Sequence, residues 1–160
     1  MPRPLYPHNR GFRAFSTGGT LNPPGGYAGV VGPAPNEATI DSRYNAPQRQ
    51  YVGGWRLDAA YGGMCYADYN LSTTGAQYYI LAIFARVPTM VTMEYVKDSG
   101  NDGGTGDATM NGETVPFNAN GTSGEPGFVS FIVPAGEHTL TVRKLLRQSL
   151  YVRSVFLATA

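Results

Sequence analysis

The last third of the chain, Phe128 to Leu157, admits few folds. In Phe128-Val129-Ser130-Phe131-Ile132-Val133 both parities carry apolar side chains, which predicts a strand inside a sandwich with both faces covered. Pro134-Ala135-Gly136-Glu137 breaks that run, because Pro134 cannot donate to a ladder and Gly136 can take a positive φ. His138 to Arg143 then alternates strictly. Leu140 and Val142 fall on one side and Thr139, Thr141 and Arg143 on the other, the signature of a half-exposed strand. After a polar link from Lys144 to Ser149, Leu150 to Leu157 is rich in β-branched and aromatic residues and predicts a closing strand.

Upstream the same grammar continues. Gly53-Gly54 and Gly62-Gly63 bracket a predicted strand over Trp55–Tyr61, and Cys65–Leu71 follows as a second. Gln77–Arg86 is the longest apolar stretch; its paired tyrosines, two isoleucines and the stop at Pro88 predict a central strand rather than a helix. Thr89–Val96 alternates and is its hairpin partner or its counterpart in a second sheet. Asp98–Asp107 is a polar loop, and Asn111-Gly112 between two short strands is a strong hairpin signal. Eight or nine strands from Trp55 onward suit an all-β fold, an antiparallel two-sheet jelly-roll β-sandwich over residues 51–160. With 21 glycines, 12 prolines and 14% charged residues, helices should be few and short.

Residues 1–50 differ in kind. They hold eight of the twelve prolines and seven glycines, too many for a helix or a long ladder, and predict a long extended Pro/Gly-rich N-terminal arm. Tyr6, Phe12, Phe15 and Tyr27 give it more apolar anchorage than a solvated linker requires, so it lies either on its own body or on neighbouring subunits. Five arginines against two acids make the arm mildly basic, whereas residues 51–160 carry seven basic and nine acidic groups. The chain as a whole is at +1, which excludes a global field for nucleic acid or an anionic membrane. Arg10 and Arg13, interleaved with Tyr6, Phe12 and Phe15, suit docking on an acidic protein surface better than nucleic-acid binding.

The order Asp68-Tyr69-Asn70-Leu71, Gly75 to Ala85, Met110-Asn111-Gly112, Val133-Pro134-Ala135-Gly136-Glu137-His138-Thr139-Leu140-Thr141-Val142 and Tyr151 to Leu157 resembles the galactose-binding-like jelly rolls of carbohydrate-binding modules, over residues 55–158. The turn Pro134-Ala135-Gly136-Glu137-His138-Thr139-Leu140 carries most of that resemblance. Where that family often places an Asp early in the last strand, this chain has Arg153-Ser154. The resemblance implies sugar contact through aromatic faces, for which Trp55, Tyr61, Tyr66 and Tyr69 are the candidates.

Chemistry is sparsely encoded. His8 and His138 are the only histidines, and no nucleophile-elbow, zinc-helix or phosphate-loop pattern occurs. Asp58, Asp68, Glu94 and Glu113 are the carboxylates a paired-acid glycosidase would draw on, a number expected on any soluble surface. The lone Cys65 reads as a buried thiol. Asp98, Asn101, Asp102 and Asp107 are the weak candidates for a cation, but their spacing does not match a calcium loop. No catalytic role and no cofactor or metal is therefore expected. Arm, compact body, low charge and the absence of an apolar signal run together predict a structural or assembly protein. The specific expectation is a virion surface component such as a phage capsid decoration or cement protein, made in the host cytoplasm and partnered by copies of itself or by capsid protein. The alternative is a carbohydrate-binding module or lectin, secreted if a signal has been trimmed, with glycans as partners and with neither nucleic acid nor membrane.

Overall fold

The structure, a computed structural model, describes residues 21–32, 40–43, 49–52, 55–58, 64–67, 78–99, 103–145 and 149–160. These residues form an all-β sandwich of two six-stranded sheets. In chain order the strands are β1 (Val30–Gly32), β2 (Ile40–Arg43), β3 (Arg49–Val52), β4 (Trp55–Asp58), β5 (Met64–Ala67), β6 (Tyr78–Ala85), β7 (Thr89–Val96), β8 (Thr105–Met110), β9 (Glu113–Asn118), β10 (Pro126–Val133), β11 (Gly136–Lys144) and β12 (Leu150–Thr159). None of the described residues is helical, so among them no helix could cross a membrane.

One sheet runs β1-β6-β11-β8-β9, and β3 shares the β6 edge with β1. Along that edge β3 takes Tyr78–Leu81 in antiparallel register and β1 takes Ile83–Ala85 in parallel. The other sheet runs β10-β7-β12-β5-β4, with β2 beside β12. Here β5 takes Leu150–Val152 and β2 takes Ser154–Leu157. Each sheet thus has a long central strand whose free edge is filled by two short pieces of upstream chain.

Three of those pieces, β1, β2 and β3, lie in or overlap the stretch read as extended arm and expected to lie on its own body or on neighbouring subunits. In these segments the chain wraps its own body. Prolines forbid a long ladder, but strands of three or four residues fit between Pro24 and Pro33, and between Pro35 and Pro47. Val30 packs against the core and contributes to holding the first of them.

The core lies between the sheets. Tyr79, Leu81 and Ile83 of β6, Leu140 and Val142 of β11, and Ala108 and Met110 of β8 face Val91 and Met93 of β7, Val129, Phe131 and Val133 of β10, and Val152, Val155 and Leu157 of β12. The two-residue alternation along each strand produces this, since every second Cβ points to the facing sheet. Thr89–Val96 proves to be the counterpart of β6 in the other sheet, because the link around Pro88 carries the chain across the sandwich. At Asn111 and Gly112 φ is 51° and 80°, the doubly left-handed turn that a tight hairpin between β8 and β9 requires. After β10, Pro134 and Ala135 pass the chain to the opposite sheet, and His138 Nε2–H donates to the Pro134 carbonyl at 2.8 Å, closing that corner.

β10 departs from its sequence pattern. It is an edge strand, paired only with β7 among the described residues. Val129, Phe131 and Val133 are buried, whereas Phe128 is 57% exposed and Ile132 70% exposed. Apolar side chains on both parities describe composition; only the strand order decides whether a second layer covers each face.

Candidate functional site

The outward parity of the first sheet carries a structured polar surface. From β6 it presents Tyr78, from β11 Thr139, Thr141 and Arg143, from β8 Asp107 and Thr109, and from β9 Thr114 and Pro116, each alternating with a residue that faces the core or lies on the inward parity. Register places them in rows. Arg143 lies opposite Tyr78 on one side and Asp107 on the other, while Thr141 lies opposite Thr109 and Thr109 opposite Thr114. Tyr78, Asp107, Thr109, Thr114, Thr141 and Arg143 line a shallow open recess of about 350 Å³.

An ion pair forms its floor. Arg143 Nε donates to Asp107 Oδ1 and Oδ2 at 3.2 and 3.1 Å, and Nη2 donates to Oδ2 as well. The Asp107 side chain is 10% exposed and that of Arg143 45%, so the carboxylate is embedded and the guanidinium caps it. The hydrogen bond and then the charge of Asp107 hold Arg143 more firmly protonated than a free guanidinium, and a hydrogen bond with Tyr78 adds to this. Beside the pair, the Thr109 and Thr114 hydroxyls are hydrogen-bonded at 2.9 Å.

This arrangement can hydrogen-bond and make ring contacts. It presents several hydroxyls, a guanidinium with its remaining donors and one phenol ring. Acid–base catalysis finds little support in it, since Asp107, the one carboxylate among the six lining residues, is engaged by Arg143. Glu94 lies on the other sheet and accepts from Arg153 Nη1 at 2.9 Å, and Glu113 sits at the β8–β9 hairpin.

At the far end of the same face, Tyr27 stands edge-on to Phe84, ring centroids 5.7 Å apart at 64°. Its hydroxyl is enclosed without a hydrogen-bond partner, and burial, followed by the nearby Glu137 charge, raises its pKa. Of the arm residues with a candidate place on neighbouring subunits, Tyr27 packs instead on its own sheet. Tyr6, Arg10, Phe12, Arg13 and Phe15 lie outside the described residues.

The four aromatic candidates fare differently. Trp55 is 3% exposed and packs against Tyr79, centroids 6.0 Å apart at 46°, with its indole N–H enclosed and unpartnered. A ring with no open face cannot stack on a sugar, so Trp55 is a core residue. Tyr61 and Tyr69 lie outside the described residues, and for Tyr66 only its backbone place in β5, opposite Arg56 and Tyr151, is described. Among the cation candidates, Asp98 accepts from the Ser99 amide and the Ser123 hydroxyl, Asp107 is paired with Arg143, and Asn101 and Asp102 lie outside the described residues. Among the described residues no three His, Cys, Asp or Glu side chains converge.

Sequence reasoning missed Tyr78, Thr109 and Thr114, and it assigned Thr141 and Arg143 only to the exposed side of their strand. The signal was the outward parity itself. Neighbour relations between β6, β11, β8 and β9 were needed to turn it into a surface.

Solved structures share this fold. A family 35 carbohydrate-binding module from Paenibacillus barcinonensis superposes with a TM-score of 0.55 at 14% identity, over 78% of this chain and 100% of that one. The fold is a galactose-binding-like jelly roll. A family 35 module from Clostridium thermocellum matches at 0.56 and 11% identity, over 75% of this chain and 98% of its own. A family two carbohydrate esterase from Cellvibrio japonicus matches at 0.56 and 12%, over 77% of this chain, which spans only 34% of the esterase. No family model and no curated protein sequence matches the chain. At such identities the jelly roll is shared while its ligands are not thereby shared.

Proposed function

We propose that the chain is a non-catalytic carbohydrate-binding module whose sugar-contacting surface is the recess on the outer face of the first sheet. The observation that carries this reading is the convergence of Tyr78, the Arg143–Asp107 pair and the threonines of β8, β9 and β11 in one open recess, on a jelly roll shared with modules described as carbohydrate-binding. A ring beside fixed hydroxyls and a guanidinium is the combination that a sugar requires: its apolar ring face stacks, and its hydroxyls are both donors and acceptors. The comparisons favour this alternative over the virion reading, for which they supply no support.

The test is a glycan array probed with the full chain, followed by affinity electrophoresis on whichever polysaccharides retain it. Tyr78→Ala and Thr141→Val should each weaken retention about tenfold, equivalent to losing one stacking or hydrogen-bonding contact of about 1.4 kcal/mol, with an unchanged circular dichroism spectrum. A chain that binds no glycan sinks the proposal. If binding survives both substitutions but is lost in Tyr61→Ala or Tyr69→Ala, the module reading stands and the recess is the wrong surface.

A further inference from the structure

The two outer edges of the sandwich formed by β9 and β10 are built differently. β9 closes its sheet with Glu113 at its start and Pro116 in its middle, the devices by which natural edges avoid pairing with other strands. β10, Pro-Gly-Phe-Val-Ser-Phe-Ile-Val, has no charge, no proline after its first position and no bulge in its eight-residue register with β7. Its outward side chains, Phe128 at 57% and Ile132 at 70% exposure, are the two most exposed large apolar residues described, and Met90 of β7, opposite Ile132, is 39% exposed.

We propose that β10 is a self-association edge, pairing antiparallel with β10 of a second copy about a two-fold axis at Ser130. The strand is its own complement in that register. Phe128 falls opposite Ile132 of the second copy and Ile132 opposite its Phe128, while Ser130 meets its own equivalent between them. Thr92 and Ser130 already share a hydrogen bond at 2.8 Å, so the two-fold extends an existing polar row, flanked on either side by a Phe128–Ile132 pair. Charge is compatible: Glu94, the one Asp, Glu, Lys or Arg in β7 and β10, stands one strand back on β7 and is held by Arg153. A sheet edge also offers unpaired main-chain donors and acceptors, which a second β10 satisfies.

Area sets the strength. Aromatic side chains present ~150–250 Å², so half-exposed Phe128 contributes roughly 100 Å² and Ile132 a similar amount, on the order of 400 Å² of side chain from two copies. With the paired backbone added, this stays below the ~1,200 Å² of a standard stable interface, so the dimer forms and parts with concentration.

Sedimentation velocity on the full chain over a hundredfold concentration range should show a reversible monomer–dimer shift. Ile132→Lys, at a position too exposed to disturb folding, should raise the dimer dissociation constant at least tenfold, whereas Glu113→Lys on β9 should leave it unchanged. Register is read by oxidation. Directly opposed residues have Cα atoms about 4.5–5.5 Å apart, within disulfide range, so Ser130→Cys should cross-link to itself, mapped by mass spectrometry apart from Cys65. Ile132→Cys should not, since its own equivalent would lie about 13 Å along the strand. A monomer at every concentration overturns the proposal, as does a dimer indifferent to Ile132→Lys or cross-linked through position 132. Dimerisation that appears only after removing residues 1–20 overturns it too, and assigns the edge to the chain's own N-terminal stretch.

Discussion

Gly127→Ala is a small substitution with a large expected cost. Gly127 lies directly opposite Tyr95 across the β10–β7 ladder, and the Tyr95 ring lies over its backbone. A Cβ at position 127 would stand 2.1 Å from the ring's Cζ and 2.4 Å from its Cε2. The ring has little room to yield, being 8% exposed and packed on Phe117 with centroids 4.7 Å apart. Overpacking of this kind costs about 1–3 kcal/mol, and losing the aromatic pair costs about 0.5–1.5 kcal/mol more. Against these stands a gain of about 0.4–1 kcal/mol from a less flexible unfolded chain. The balance is a destabilisation of about 2 kcal/mol, or ~1 M in urea midpoint for a slope of ~2 kcal/mol/M. Urea unfolding followed by circular dichroism measures it. In the double variant Gly127→Ala/Tyr95→Leu, which removes the ring, the two costs should be strongly non-additive. A neutral or stabilising Gly127→Ala, or costs that simply add, would refute the reasoning that the ring occupies the glycine's missing side chain.

Leu140, fully buried opposite Leu81 at the centre of β11, should lose about 3 kcal/mol of stability on Leu140→Ala, read from the same urea curves. Gly112→Ala places a Cβ at a φ of 80° in open space, so its cost of about 1 kcal/mol is conformational alone, visible as a lowered melting temperature without a change in slope. Burial and Glu137 raise the Tyr27 pKa above its ordinary 10.0, so the unfolded chain loses this proton first as the pH rises. The Tyr27 contribution is therefore complete below pH 10 and is lost as the pH climbs through the higher native value; Tyr27→Phe should show a shallower alkaline decline in urea midpoint than the parent. The same change removes an enclosed, unpartnered hydroxyl and should not destabilise the protein at neutral pH, whereas a clear loss there would mean that the hydroxyl has a partner.

How legible this protein was depends on the range of the interaction that decides each feature. β6, β7 and β11 appear close to where their patterns put them, because side-chain alternation is set by the strand itself. The hairpin at Asn111-Gly112 was equally legible, since a two-residue turn demands φ values that these residues tolerate. β1, β2 and β3 were hidden because runs of three or four residues carry no period. They are defined by the free edges of β6 and β12, which lie far along the chain.

The candidate surface was still less legible. Trp55, the residue type most suggestive of sugar stacking, is enclosed against Tyr79, while the unremarkable pair Asp107 and Arg143, 36 positions apart, meets because β8 lies beside β11. By itself the sequence determined the strands β6, β7 and β11, the tight turn at Asn111-Gly112, and which parity of β11 faces the core, all consequences of backbone sterics and local burial. The tertiary structure decided which strands are neighbours, hence that Tyr78, Arg143, Asp107 and the threonines share a recess and that β10, among the described residues, is an apolar edge paired on one side alone. Those outcomes depend on contacts between residues distant in sequence, whose closure entropy is offset only by the assembled core, and no local pattern records them.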